Sequence, residues 1–157
     1  MSWKKDLEAH LKTTRKIRTA FVIAGVLITV VGTVKVLINF EYEYLETFGV
    51  FPSKTDPLVL LYLTLHYLLW GVALVLIGFT VERLLNFQSA GAFIWSLTLL
   101  PFTYGVLRFV LAMLLNLSPY LAYSDLIKYF LVTVVLIAML LLARYIVRKM
   151  EVPTVNE

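Results

Sequence analysis

The chain contains no cysteine, which excludes disulfides, thiolate nucleophiles, iron–sulfur clusters and cysteine-ligated zinc, and leaves the redox compartment unmarked. Histidine is nearly as scarce, with only His10 and His66 present, so a metal hydrolase lacks ligands. Carboxylates are missing from the centres of all the long apolar runs, where a proton or ion path would place them. There is no glycine-rich phosphate loop, which argues against an ATP-driven role for this chain alone. The acidic segment near residue 41 lacks the Asp-x-Asp-x-Asn-Gly spacing of a calcium loop, and reads as solvated rather than metal-binding. Charged residues make up only 15% of the chain and hydrophobic ones 61%, against about 25% charged in soluble domains. A soluble domain of this size could not hide so many apolar side chains.

What is present is four long apolar runs, residues 17–40, 58–81, 90–117 and 126–147. About 20 helical residues cross a hydrocarbon core about 30 Å thick, and all four runs meet that length. The expected fold class is all-α and polytopic: four transmembrane helices in an antiparallel bundle, with a basic amphipathic helix before them, forming one domain over 1–157. At about 24 residues the first run exceeds the 7–15-residue apolar region of a signal peptide, and no small-x-small site follows it, so it reads as a retained helix.

Charge sets the expected orientation. Lys4, Lys5, Lys12, Arg15, Lys16 and Arg18 precede or enter the first run, Arg83 lies in the connection 82–89, and Arg144, Arg148 and Lys149 end the fourth run. The other side has Lys54 in its loop, with Lys35 and Lys128 just inside helix ends, and collects Glu41, Glu43, Glu46, Asp56 and Asp125. Basic flanks stay cytoplasmic, which predicts a cell-membrane protein with both termini inside and the connections 41–57 and 118–124 outside. The net charge of +4 and pI near 9.3 are accounted for by orientation and anionic lipid, not by nucleic acid.

In residues 3–16, Trp3, Leu7, Leu11 and Thr14 recur at helical spacing among Lys4, Lys5, Glu8, Lys12 and Lys16. This pattern fits a helix in the inner headgroup zone or a plain extension of the first span. The outer segment alternates Glu41, Glu43 and Glu46 with Tyr42, Tyr44, Phe48 and Phe51, which suits an interfacial aromatic belt. It is expected to overrun the first helix and stop near Gly49 and Pro52. Thr55 or Asp56 then caps the second span, with Pro57 in its first position. Residues 86–91 turn the chain inside; Ser118 and Pro119 break it outside, with Ser124 placed to cap the fourth span. These short connections make spans two and three, and three and four, antiparallel neighbours. The two halves show no strong internal repeat, so an inverted-repeat transporter is not supported.

Lipid tails give helices no hydrophobic reason to associate, so small residues mark contact faces. Gly25, Thr29 and Gly32 share one side of the first span; Gly71 and Gly78 lie a heptad apart on the second; Ala92, Ser96 and Gly105 punctuate the third, with Pro101 expected to bend it. The fourth run offers little beyond Thr133 and Ala138. Spans one to three are expected to pack tightly, and the fourth to face lipid or a partner.

Two intramembrane residues stand out, Arg108 and His66. An arginine at mid-membrane costs about 2.5–3.5 kcal/mol on insertion scales, so it is expected to face protein or water. Each lies about nine residues, or about 13 Å, from the outer end of its run, placing both at one level. Tyr62, His66 and Trp70 follow at i+4 steps, and Tyr104 precedes Arg108 by four; Lys35, Asn39 and Lys128 lie nearer the outer surface. One reading is a closed cluster, in which Arg108 pairs with Glu41, Glu43, Asp56 or Asp125 while Tyr62, Tyr104 and His66 bond one another. The other is an outward-facing pocket for an anionic or carbonyl-bearing ligand such as a lipid headgroup, a quinone or a small anion. There Arg108 would hold the negative group, His66 and Tyr104 would orient it, Tyr62 would share their face, and Trp70 would floor the cavity. Lys35 and Lys128 would add positive charge.

Haem is disfavoured, because a second axial ligand would have to come from a second copy of His66 or from Met113 or Met139. Neither Ser96 nor Ser124 has a histidine or acid one helical turn away. No cofactor or catalytic motif emerges. The expected role is that of an integral membrane accessory or scaffold subunit, or of a small homo-oligomer, with membrane lipid and another membrane chain or a second copy as partners. Ligand binding or transport around Arg108 and His66 is the alternative, and an enzyme acting on lipid or quinone comes third.

Overall fold

The computed structural model describes residues 2–50 and 56–150. Their backbone forms α1 (Ser2–Ile38), α2 (Phe40–Phe48), α3 (Pro57–Leu85), α4 (Gly91–Leu114) and α5 (Pro119–Met150). Four segments are long and apolar enough to cross a membrane: Lys5–Ile38, Pro57–Leu85, Gly91–Leu114 and Ala122–Val147.

α1 is one helix of 37 residues, about 55 Å long. No glycine precedes Gly25 and no proline precedes Pro52, so nothing local breaks the helix where the charged segment meets the apolar one. Residues 3–16 are therefore continuous with the first span. The break comes at Asn39, whose backbone leaves the helical region (φ −109°, ψ 29°). Its backbone N–H still reaches the Lys35 carbonyl at 3.0 Å, and its side-chain amide donates to the same oxygen at 3.2 Å. The acidic aromatic segment is thus a helix of its own, α2, rather than an overrun of α1. It ends as expected at Gly49, which takes the left-handed conformation (φ 72°) and donates its N–H to Leu45. Asp56 caps α3 by accepting from the Leu58 amide at 2.8 Å, with Pro57 first in the helix. Phe51, Pro52, Lys54 and Thr55 lie outside the described residues.

Both remaining turns close with a left-handed residue, Phe87 (φ 54°) and Asn116 (φ 52°). After α4, the Leu117 amide bonds the Ala112 carbonyl and the Asn116 amide bonds that of Met113, the paired bonds of a Schellman motif. α4 therefore ends at Leu114, three residues short of the apolar run. α5 begins at Pro119, because proline in a first helical position sacrifices no helical bond. Ser124 consequently lies inside α5 and is not its cap.

The long helices form a row. α1 packs on α3, α3 on α4 and α4 on α5, while α2 rests against α1 and α3. Among the described residues, α1 makes no backbone-level contact with α4 or α5. Adjacent helices run in opposite directions: Thr14 meets Asn86 and Lys35 meets Tyr67 across α1 and α3. Phe79 stacks on Phe93 across α3 and α4. Across α4 and α5, Phe102 meets Phe130 and Phe109 meets Tyr123. The first and third spans, expected to pack together, do not meet. The cause lies in where the small residues point.

Gly25 and Gly71 face each other, and a Cβ on Gly71 would collide with the Thr29 hydroxyl and lie 2.7 Å from the Gly25 carbonyl. Gly32 admits the Tyr67 ring, and Gly78 lies against Phe21, where a Cβ would sit 2.7 Å from the Phe21 Cβ. All the glycines of α1 are thereby committed to α3. Gly105 instead accommodates Tyr129 of α5, whose Cβ would be 2.9 Å away from one on the glycine. The buried core sits at the end of the row that carries α2, the outer end in the orientation expected from charge, where Val36, Val59, Tyr62, Leu63, Leu65, Tyr104, Leu111, Ala112 and Ala122 cluster, with Phe40, Tyr44 and Phe48 of α2 packed against them. α5 is the most exposed span, 6% buried against 28% for α4, so its outward side has no cover from the described residues.

Replacing Gly71 with leucine forces the α1–α3 backbones apart. Overpacking of this kind costs about 1–3 kcal/mol, and occasionally more. Gly25→Leu is expected to behave alike, whereas Leu140→Ile stays within about 0.5 kcal/mol of wild type. Unfolding in a mixed-detergent titration, followed by circular dichroism, measures all three; equal stability of Gly71→Leu and wild type would refute the seam.

Candidate functional site

The Arg108 guanidinium lies between α3, α4 and α5. Its Nε is 2.9 Å from Asp125 Oδ2, its Nη2 donates to the Tyr62 hydroxyl at 2.6 Å, and its Nη1 donates to the Tyr104 hydroxyl at 3.1 Å. The Tyr62 hydroxyl donates in turn toward the same Asp125 oxygen at 3.4 Å. The guanidinium carbon also stands 4.3 Å from the Tyr62 ring centroid, within cation–π range. Tyr62 and Tyr104 are buried, and the Arg108 and Asp125 side chains are 19% and 26% exposed. The Nε–H is buried but not aligned on any acceptor. Its contact with Asp125 is therefore an ion pair by distance rather than a directed hydrogen bond.

Helix boundaries explain why Asp125 is the partner. With α5 starting at Pro119 and α4 ending at Leu114, Asp125 and Arg108 each lie six residues from the outer end of their helix, about 9 Å. On oppositely directed neighbours they share one level. The same count puts Tyr62, five residues into α3, opposite Arg108, and leaves His66 more than a turn deeper. The sequence measured these depths from the ends of apolar runs, which overstated the depth of Arg108 by three residues.

The structure thus brings together Arg108, Tyr62 and Tyr104 with Asp125, which the sequence named only as one of four possible counter-charges. Tyr129, not singled out from sequence, packs edge-on against Tyr104 with ring centroids 4.7 Å apart. α2 covers the outer side: Phe40, Tyr44 and Phe48 form a ladder of rings with centroids 5.8 and 4.6 Å apart, and Phe48 reaches Tyr62 at 5.8 Å. Half of the expected aromatic belt is therefore turned inward, while Tyr42 remains 66% exposed. The signal for this was readable, since 40, 44 and 48 fall on one helical face.

Other candidates lie apart from the cluster. His66 is half-buried and its ring lies against that of Tyr67, centroids 3.8 Å apart with a 40° tilt between the planes; no hydrogen bond joins it to Arg108 among the described residues. Trp70 is 61% exposed and does not floor the cluster. Residues at i+4 steps drift by about 40° each, so Trp70 is turned about 80° from Tyr62. Lys35 pairs with Glu43 of α2 at 2.8 Å and donates to the Tyr67 hydroxyl at 3.3 Å, while Asp56 is occupied as the α3 cap. Lys128 is exposed, with its ammonium 5.6 Å from the Tyr129 ring centroid. At the other end of the row, Arg18 pairs with Glu82 at 3.0 Å. The His10 ring nitrogen lies 3.0 Å from the Leu85 carbonyl oxygen, far in sequence and height from His66. Among the described residues, no group of three or more histidine, aspartate or glutamate side chains is placed to hold a metal ion.

Chemically, this arrangement holds a charge rather than presenting one: each nitrogen of the guanidinium has an oxygen from the chain beside it. No protein-family model, no curated protein and no solved structure matches this chain.

Breaking the pair from one side strands a charge. Removing one partner of a buried ion pair costs about 3–5 kcal/mol, so Arg108→Leu and Asp125→Leu should each be strongly destabilising, and the double variant less so than their sum. A double-mutant cycle in detergent is expected to give a coupling above about 1 kcal/mol for Arg108 with Asp125, and below about 0.5 kcal/mol for Arg108 with His66. The opposite order would refute the assignment of partners.

Proposed function

We propose that the chain is a multi-pass protein of the cell membrane, an antiparallel four-span unit with both termini cytoplasmic and the basic amphipathic residues 3–16 at the inner surface. It acts without catalysis, as an accessory or scaffold subunit of a membrane assembly or as a small homo-oligomer. The observation that carries this reading is the closure of the Arg108 cluster. The most costly group in the apolar region is neutralised by Asp125 and bonded by two tyrosine hydroxyls, under the rings of α2. A side chain so engaged supports architecture. The edge position and exposure of α5 support a lateral partner there, a second copy or another membrane chain.

A second reading, binding of an anionic or carbonyl-bearing ligand, draws on one atom: Arg108 Nε is buried without an aligned acceptor. Such a ligand would have to displace Asp125 or accept from Nε beside it.

The absence of cysteine makes topology directly testable. Ser118→Cys is expected to react with a membrane-impermeant maleimide on intact cells, and Gln88→Cys only after permeabilisation; the reverse pattern refutes the orientation. For the role, native mass spectrometry from mild detergent is expected to show a second copy or a companion membrane chain. A bare monomer under all mild conditions counts against assembly. A small anionic or carbonyl-bearing molecule that co-purifies with wild type and is lost in Arg108→Leu would replace the first reading with the second.

A further inference from the structure

Charge at the inner end of the row is divided unequally. Arg18 is committed to Glu82 and to the Phe79 ring, 5.4 Å from its guanidinium carbon. Arg83 donates to the Ser89 carbonyl and lies 5.1 Å from the Phe93 ring centroid. Lys12, Arg15 and Lys16 are exposed, and among the described residues none has a carboxylate within 4 Å. Among the described residues these three cations share one helix with only Glu8 beside them, and none is in an ion pair.

Their position shows what they face. The line of α1 that touches α3 runs through Thr14, Arg18, Phe21 and Gly25, by their contacts with Asn86, Glu82, Gly78 and Gly71. At about 100° per residue, Lys12, Lys16, Thr19 and Ile23 fall on the opposite side of the helix, flanked by Arg15 and Ala20. α1 stands at the edge of the row, so this side faces away from the other described helices. There Lys12, Arg15, Lys16, Thr19, Ala20 and Ile23 line a shallow depression of about 620 Å³, with Glu8 and Leu11 at its upper rim. The short side chains of Thr19 and Ala20 leave the hollow between the cations above and Ile23 below.

Depth matches as well. Lys12, Arg15 and Lys16 lie two to six residues beyond Arg18 toward the N-terminus, about 3–9 Å along the axis. The polar layer of a bilayer leaflet is about 5–7 Å deep, half the difference between a total of about 40–45 Å and a core of about 30 Å. Ile23, which is 54% exposed, lies five residues the other way, about 7–8 Å into the apolar zone. Cations at phosphate depth, a hollow beneath them and an apolar track below reproduce the order of parts in a phospholipid. An acidic soluble protein would match the cations but not the apolar lower half.

We propose that this face of α1 is a binding site for a phospholipid of net negative headgroup in the inner leaflet. Lys12, Arg15 and Lys16 hold its phosphate region, and one acyl chain follows Ala20 and Ile23. The site rests on the reading that α1 crosses the membrane with its N-terminus cytoplasmic, and it lies at the opposite end of the row from Arg108.

Each cation near an anionic surface contributes about a fivefold preference, and Glu8 at the rim offsets part of it. The test is native mass spectrometry of the full-length protein equilibrated with phosphatidylglycerol or phosphatidylcholine in mild detergent. Wild type is expected to retain one phosphatidylglycerol at least about tenfold over phosphatidylcholine. The preference should disappear in Lys12→Gln/Arg15→Gln/Lys16→Gln and persist in Lys128→Gln, whose cation is at the other end of the row. Ala20→Trp, which fills the hollow without touching charge, should also lower retention and keeps the test alive if the triple variant does not fold. Equal retention of both lipids by wild type, or undiminished selectivity in the triple variant and in Ala20→Trp, overturns the site. So does displacement of the lipid by an acidic peptide. Release of the protein from membranes by alkaline carbonate would instead overturn the transmembrane reading, so the two failures are distinguishable.

Discussion

An arginine inside an apolar helix has to be answered by the rest of the chain, and the outer half of this protein is organised around that answer. Arg108 draws Asp125 from α5 and the Tyr62 hydroxyl from α3 to one level, with Tyr104 from its own helix. α3 and α5 are not neighbours at the backbone level, yet they are linked through this side chain. The ion pair gains its strength from exclusion of water and is costly to break for the same reason. The buried core lies around it, and α2 closes it with three rings on one face. α2 is held over the helix ends by its own apolar face, Phe40, Tyr44 and Phe48, against that core, and by the Lys35–Glu43 ion pair.

The inner half is held differently. There the α1–α3 seam depends on close backbone approach, Gly25 against Gly71 and Gly78 against Phe21, and on polar contacts at the end of the pair, Arg18 with Glu82 and Thr14 with Asn86. Between lipid-facing helices dispersion and hydrogen bonds replace the hydrophobic effect, which is why glycines matter more here than leucines. A row rather than a closed bundle follows from this distribution. α1 turns both of its glycines, Gly25 and Gly32, toward α3; α4 turns Gly105 toward α5.

The functional reading takes its shape from the same division. The closed Arg108 cluster and the exposed α5 support the proposed structural role, and the exposed Lys12, Arg15 and Lys16 on the back of α1 support the proposed lipid site. The two features sit at opposite ends and on opposite edges of the row, so a lateral partner on α5 and a lipid on α1 would not compete.

Four spans long enough for a bilayer, their charge asymmetry, the Asp56–Pro57 start of α3 and the Gly49 stop of α2 were all readable from the sequence. They depend on composition and on residue types whose backbone preferences act locally. The candidate residues Arg108, Tyr62 and Tyr104 were legible too, because a cation and hydroxyls in an apolar run stand out at any register. The choice of Asp125 over Glu41, Glu43 and Asp56 was not, nor was the separation of His66 and Trp70 from the cluster. Those outcomes turn on helix ends, which hydropathy locates poorly: Asn116 stops α4 while the apolar run continues, and Pro119 starts α5 before its run begins. A shift of three residues moves a side chain about 4–5 Å along the axis and most of a turn around it. Only the packed helices, fixed at both ends, decided which groups share a level.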